Sequence, residues 1–308
     1  MKTKTSYLLL FLATIVWGFA FVAQKNASVI PVFSVGAFRS LFATLFLIAV
    51  IPIIDKLTKS DRRLIKNGRP DFSATEIVGG VILGVIITVA SAFQQYGIER
   101  TSASKAAFIT ALYVVIVPIF ASVLGKRPGI TSIISIPIAV LGFYLLCINK
   151  DESFAIADLL VLICAVIFSV HIIAVDHLSP KCDGVRMSCV QFATAAVLNL
   201  AASLIIGETF APENLVIAIP DLLFLGILSS GVAYTLQIVG QKNTDPTISS
   251  LILSLESVFG VIGAALILNE RMSPREYIGC GVVFLAILLA QAEPQKIMKA
   301  LKHGGEKK

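Results

Sequence analysis

Charge is what this sequence has least of. Of its 308 residues only 14% are Asp, Glu, Lys or Arg, while 56% are hydrophobic. A soluble domain carries about a quarter charged residues. A chain of this length could not cover a water-facing surface with so few. The mean hydropathy of +0.89 agrees. Disorder is excluded as well, because it requires low hydrophobicity. Catalytic signatures are also missing. The chain has no G-x-x-x-x-G-K-[ST] loop and so does not hydrolyse ATP itself. It has no H-E-x-x-H and no G-x-S-x-G elbow. The paired transmembrane aspartates of a membrane protease are lacking too, since Asp158 and Asp176 flank one apolar run. The expectation is therefore a non-enzyme with no cofactor and no metal site. Cysteine is sparse: Cys147, Cys164, Cys182, Cys189 and Cys280 show no C-x-x-C spacing. They read as buried packing residues and say nothing of redox compartment.

What is present in quantity is uncharged sequence. A helix needs about 20 apolar residues to cross a bilayer. Ten runs lie between charged residues: Thr5–Gln24, Pro31–Ile54, Ile77–Ile98, Ala106–Gly125, Pro128–Asn149, Ser153–Val175, Met187–Gly207, Leu222–Gln241, Pro246–Asn269 and Tyr277–Ala292. Arg39 interrupts the second and Glu256 the ninth. The reading is an all-α integral membrane protein with ten transmembrane helices, whose longest connections are Asp55–Glu76 and Glu208–Asp221. A signal peptide is the other reading of the first run, which follows Lys2 and Lys4. That run is too long for an h-region, and no A-x-A site follows it. Trp17, Phe19 and Phe21 fit a retained helix.

The formal net charge of +6 would suggest nucleic acid on a soluble protein. Here the basic residues have a side. With the N-terminus inside, the inner segments hold 18 Lys and Arg and the outer segments 5. Arg39 and Lys105 lie in or at the edge of helices. By the positive-inside rule this puts both termini in the cytoplasm and favours an even number of spans. The bilayer of the cell membrane is the expected partner, and nucleic acid is not.

The chain also resembles itself. Gly97, Thr101, Ala107 and Leu112 align with Gly240, Thr244, Ser250 and Leu255, an offset of 143. Upstream, Leu83-Gly84 and Gln95 align with Leu225-Gly226 and Gln237 at an offset of 142. The third and fourth helices thus map onto the eighth and ninth. Five helices per half is an odd number, so the halves insert with opposite orientation. Residues 5–149 and 153–293 form two five-helix inverted-topology repeats, followed by a basic tail at 294–308. In transporters built this way the substrate site lies near the midplane between repeats, and rocking of the halves gives alternating access.

Ionisable residues in hydrocarbon are costly and are functional candidates by default. Arg39 fits two roles, a guanidinium bonded to backbone carbonyls or an anchor for a carboxylate or phosphate. Glu256 shares a helical face with Ser249, Leu253, Gly260 and Gly263, whose small residues admit another helix. It can pair with Arg39, carry a proton or bind a cation. His171 is read as a packing residue or a proton shuttle. Polar-aromatic stripes recur: Thr14, Trp17, Phe21 and Gln24 on helix one; Thr88, Ser91 and Gln95, with Gln94 beside them, on helix three; Ser230, Tyr234, Gln237 and Gln241 on helix eight. Thr110 and Tyr113 neighbour each other on helix four. Such recurrence favours a central polar cavity for an amphipathic organic solute. The candidate binding set is Trp17, Phe21, Gln24, Arg39, Gln95, Tyr113, His171, Tyr234, Gln237 and Glu256. Pro118 and Pro137 are expected to bend helices four and five.

These motifs resemble the EamA family of the drug/metabolite transporter superfamily, over nearly the whole chain. The opening Trp17-Gly18-Phe19-Ala20-Phe21-Val22 with Lys25 and Phe38-Arg39 is similar to the family's start. Residues 96–108, from Tyr96-Gly97 to Ala107-Phe108, resemble its helix-three-to-four signature. Leu255-Glu256 and Leu268-Asn269-Glu270-Arg271-Met272 resemble its Glu-Pro and Leu-Gly-Glu-Arg-Leu motifs. Ser257 stands where proline is usual, and Lys126-Arg127 where Gly-Glu is frequent. The resemblance implies ten helices around a central cavity and small organic metabolites as substrates, with export of amino acids or related compounds in many members. A coupling proton or counter-substrate is a possible further partner. The alternatives are uptake or multidrug efflux on the same fold, an intramembrane enzyme, and a non-transporting receptor.

Overall fold

Side-chain caps turn the apolar runs into helices. Glu76 N–H donates to Ser73 Oγ at 3.2 Å and Ser73 N–H to Glu76 Oε2 at 2.8 Å. This box satisfies two of the donors that every helix start leaves open. Ser273 and Glu276 repeat it at 2.7 and 3.3 Å. Asp183 Oδ1 caps another start by accepting from Val185 and Arg186 N–H. Beyond each cap the run is mostly apolar, and in lipid a helix satisfies the backbone from within the segment.

The computed structural model describes residues 3–58, 65–66, 69–125, 130–147, 156–242 and 244–291. The basic tail at 294–308, Lys126-Arg127, the repeat boundaries at 149, 153 and 293, and Lys2, Lys59, Arg62, Arg63 and Lys150 lie outside the described residues. In chain order the helices are α1 (Thr3–Asn26), α2 (Val32–Leu57), α3 (Ala74–Ile98), α4 (Ala103–Thr110), α5 (Tyr113–Val123), α6 (Ile130–Cys147), α7 (Ile156–Leu178), α8 (Gly184–Ile206), α9 (Pro212–Leu223), α10 (Tyr234–Gln241), α11 (Pro246–Ser254), α12 (Glu256–Ile267) and α13 (Pro274–Gln291). A π-helical stretch, Phe224–Ala233, joins α9 to α10. Between α2 and α3, Ile65–Lys66 pairs antiparallel with Arg69–Pro70.

Among the described residues, eight helical segments are long and apolar enough to cross a membrane, from Lys4–Val29 to Pro246–Ile267. The protein is a multi-pass membrane protein. Its surface is inverted relative to a soluble fold. Val123 and Ile205 are 81% and 85% exposed, while Gln24, Gln94, Gln191 and Gln237 are buried. The eighth run begins earlier than the sequence suggests. The segment Glu208–Asp221, read as a connection, is helical from Pro212, because proline at a first helical position costs no hydrogen bond.

Two runs read as single helices are each broken once. Ala111 and Leu112 separate α4 from α5, and Leu255 separates α11 from α12. Ile109 O accepts from Leu112 N–H and Ile252 O from Leu255 N–H, both i to i+3 bonds that tighten the chain locally. Neither break falls at a proline. Pro118 and Pro137 lie inside α5 and α6.

The packing is reciprocal. α2 lies against α8, α6 against α13, α4 against α12 and α5 against α11. α3 packs on α7, and α1 on α12, α10 and the π stretch. Gly18 makes one of these contacts possible: a Cβ there would stand 2.2 Å from Phe259 Cβ and 2.8 Å from the Phe259 carbonyl carbon. The bare backbone of α1 therefore seats directly on α12.

Candidate functional site

The helices that meet at the centre enclose a cavity of about 40 Å³. α1 supplies Trp17, Ala20, Phe21 and Gln24, α2 Arg39, α3 Gln94, α4 Thr110 and α5 Tyr113. From the second half come Phe168 and Ile172 on α7, Ser229 on the π stretch, Tyr234 and Gln237 on α10, Leu253 on α11 and Glu256 on α12. Eight of the ten residues singled out in the sequence stand together in this lining. Gln95 and His171 do not.

Arg39 is 7% exposed. Its Nε donates to Ser230 Oγ at 3.2 Å and its Nη2 to Ser229 Oγ at 3.4 Å. The π stretch places these two consecutive hydroxyls on one guanidinium, as a widened turn brings neighbouring residues closer in angle. Ser229 O also accepts from Trp17 Nε1 at 3.2 Å. Trp17 stands over Tyr234, ring centroids 4.6 Å apart. Aromatic faces, a cation and a row of hydroxyls thus share one wall.

Glu256 opens α12 on the opposite side of the cavity. The described residues give no ion pair between it and Arg39, so the pairing considered from the sequence is absent. Tyr113 Oη lies beside the Glu256 carboxyl, outside the geometry of a full hydrogen bond. Both residues directly follow a helix break. Gln237 Oε1 is likewise buried without a protein partner. Buried polar atoms of this kind are costly unless something supplies the missing bond.

A ladder of amides closes the third side. Gln24 Nε2 donates to Gln94 Oε1 at 2.9 Å, and Gln94 Nε2 to Thr110 Oγ1 at 3.2 Å. Gln95 points the other way, donating to Gln24 O at 3.0 Å and Ser28 Oγ at 3.1 Å. It lines a second, smaller cavity with Ser91, Gly36, Asn199 and Arg39. His171 stands behind the wall. Its Nε2 is 3.3 Å from Gln191 Oε1, and its ring packs edge-on to Tyr234 at 5.8 Å. Gln94, named beside its stripe, and Ser229 are the polar lining residues that lie off the stripes. Their signal was adjacency to Gln95 and Ser230, one residue out of phase.

Around the site, charged groups seal helix ends. Glu208 accepts from Phe33 N–H, Ser34 N–H and Ser34 Oγ at the head of α2. Glu270 accepts from Ala103 N–H, Ser104 N–H and Ser104 Oγ at the head of α4. Carboxylates at helix N-termini complement the macrodipole. Lys25 Nζ donates to the carbonyls of Ile98, Glu99 and Thr101 past the end of α3. Burial pushes the nearby Glu99 carboxyl up; Arg100 opposes this, Glu208 adds to it and Lys25 opposes it. Arg186 donates to both oxygens of Asp55 at 3.0 and 2.6 Å, to Asp183 Oδ2 at 3.2 Å and to Asp71 O at 3.2 Å. That network ties the end of α2 to the start of α8. Among the described residues, no group of three His, Cys, Asp or Glu side chains is placed to hold a metal ion.

Pockets that hold drug-sized ligands measure about 300–1,000 Å³. At about 40 Å³ the cavity has no room for an organic solute. Admission requires helices to part.

Comparison with known proteins gives one family. Residues 4–148 and 155–291 each match the EamA-like transporter family. An uncharacterized transporter of Archaeoglobus fulgidus is 28% identical over 287 residues, covering 91% of this chain and 83% of that protein. A second uncharacterized transporter of the same organism is 23% identical over 304 residues, covering 95% and 99%. A solved crystal structure of a protein has the same fold, with a TM-score of 0.69 at 16% identity, over 96% of this chain and 99% of that one.

Proposed function

The chain belongs to the EamA-like transporter family, within the drug/metabolite transporter superfamily, and from that premise we propose that it is a secondary carrier of small organic metabolites. It works by alternating access at the central cavity, and its role is export of amino acids or related compounds. Ten transmembrane helices form two inverted five-helix repeats, with α4–α5 and α11–α12 each counting as one broken helix. The reciprocal packing of α2 on α8, α6 on α13 and α4–α5 on α11–α12 supports this arrangement. The Lys and Arg bias supports termini in the cytoplasm and a cell-membrane location.

The observation that carries the reading is the cavity itself. Both halves contribute to it, broken helices border it, and its wall mixes aromatic faces, amides and two ionisable groups that do not neutralise each other. Discontinuous helices at midplane sites are how repeat transporters expose backbone and side chains to a solute. Trp17, Phe21, Tyr113 and Tyr234 hold the apolar part of the solute. Gln24, Arg39, Gln237 and Glu256 hold its polar groups. Gln95 and His171 position Gln24 and Tyr234 from behind. A proton or counter-substrate supplies the coupling.

Flux in proteoliposomes tests this. Purified protein should exchange at least one labelled metabolite from a panel of amino acids, nucleosides and sugars. Arg39→Ala and Glu256→Gln should each cut that flux by about tenfold or more, the scale of one lost charge-assisted hydrogen bond, while still inserting and staying monodisperse. Folded wild-type protein that moves nothing from the panel would refute the reading.

A further inference from the structure

Two arginines are buried in the described structure, and they are satisfied in opposite ways. Arg186, 1% exposed, has four hydrogen bonds to acceptors of the chain, two of them to one carboxylate. That is how this chain settles a guanidinium whose work is structural. Arg39 has two, both to neutral serine hydroxyls at 3.2 and 3.4 Å. A guanidinium offers five N–H donors. The two on Nη1 and one on Nη2 have no acceptor among the described residues, and no carboxylate is paired with them, although Glu256 lines the same cavity. The partly buried lysines are not left so. Lys105 reaches Asp158 at 2.9 Å, and Lys25 collects three carbonyls.

Position adds to the count. Arg39 lines both the central cavity and the second, smaller one. Ser229 and Ser230 hold the Nε–Nη2 side and leave Nη1 free. A planar fork with open N–H groups in a low-dielectric enclosure fits a carboxylate or phosphate better than any neutral group. Leaving such a charge without a counter-ion is costly, and a bound oxyanion removes the cost.

We propose that Arg39 is the specificity-determining residue of the central cavity, and that the transported solute must carry an oxyanion, a carboxylate or a phosphate, which docks on its free Nη1 edge. This rests on the transport reading above and narrows it: the acidic group of the solute is what the protein recognises.

The chain holds a single tryptophan. It lies in this wall and bonds to Ser229, whose hydroxyl accepts from Arg39. Its emission therefore reports what occupies the guanidinium. The full-length protein in nanodiscs is titrated with phenylalanine, phenylpropionate and succinate, and with glycerol phosphate. Phenylalanine methyl ester and phenethylamine (for phenylalanine), phenylpropionamide, succinamide and glycerol are the matched probes lacking the oxyanion. Trp17 emission and thermal stability are read in parallel. At least one acid should shift both signals, and its partner without the oxyanion should bind about tenfold more weakly or worse. Whether a carboxylate or glycerol phosphate responds distinguishes the two sources. Arg39→Gln should abolish the preference for the acid, and Arg39→Lys should keep part of it. If Arg39→Gln does not fold, the double variant Ser229→Ala/Ser230→Ala, which frees the guanidinium but keeps its charge, should still prefer the acid with altered affinity. Ester or amine binding equal to that of the acid overturns the inference and leaves the transport reading standing. An acid preference that persists in Arg39→Gln does the same. Folded protein that answers to no probe, and moves none of them in liposomes, overturns both.

Discussion

A hydroxyl buried without a partner destabilises the fold that holds it, and Tyr113 carries one beside Glu256. Tyr113→Phe removes the group and keeps the ring. Thermal unfolding of this variant should therefore be unchanged or improved, by up to about 1–3 kcal/mol, the desolvation cost relieved. If the hydroxyl serves the solute or Glu256 during transport, liposome flux should fall at the same time. A loss of stability would mean that the hydroxyl is bonded in the resting protein. At this scale the sequence was legible where a residue type is rare. Arg39 and Glu256 declared themselves by interrupting uncharged runs. It was illegible where neighbours share a type. Gln94 and Gln95 differ by about 100° of helical rotation, and only the seating of α3 on α7 and α8 decides which one faces the cavity. His171 was ambiguous for the same reason, since a polar residue on a buried face can line a cavity or, as here, stand behind it.

Helix seating has its own dependence on small residues. Gly18→Ala places a methyl group 2.2 Å from Phe259 Cβ and inside contact with backbone. It should wedge α1 from α12 and cost about 1–3 kcal/mol of stability. Gly281→Ala on α13 meets nothing within 4 Å. It should be neutral or stabilising by about 0.5–1 kcal/mol, as helix propensity alone dictates. Thermal unfolding of the pair separates packing from propensity; equal effects would sink the seating argument. The existence of the long helices followed from uncharged runs. Their interruptions did not. The breaks at Ala111–Leu112 and Leu255 involve ordinary helix formers, while Pro118 and Pro137 lie inside α5 and α6. The π stretch at Phe224–Ala233 likewise has no residue that demands it. These are tertiary effects, set by what the helices must bring to the centre.

Across the whole molecule, the two halves meet along matched surfaces, and the cavity between them, at about 40 Å³, is too small for an organic solute. Alternating access then requires matched helices to separate. Gly36 on α2 and Asn199 on α8 are in direct contact, a Gly36 Cβ falling 2.6 Å from Asn199 Cγ. That proximity suits a disulfide. Gly36→Cys/Asn199→Cys, once oxidised, should stop flux in liposomes, and reduction should restore it. Undiminished flux in the oxidised form would mean that α2 and α8 stay together throughout the cycle. The internal repeat was visible in the sequence only as scattered matches at offsets of 142 and 143, because on a lipid-facing surface any apolar residue serves.

The larger offset has one more consequence. Tyr113 and Glu256 are 143 residues apart, the same interval that relates Gly97 to Gly240. Each begins the second half of a broken helix, and they stand side by side in the cavity. Were the two halves separate identical chains, self-complementary contact would force the same residue onto both positions. Two glutamates would crowd two negative charges into one enclosure, and two tyrosines would leave it without any. Joining the halves in one polypeptide lifts that restriction. The backbone keeps its pairing while the chemistry becomes lopsided, so a solute with distinct ends meets a site with distinct ends.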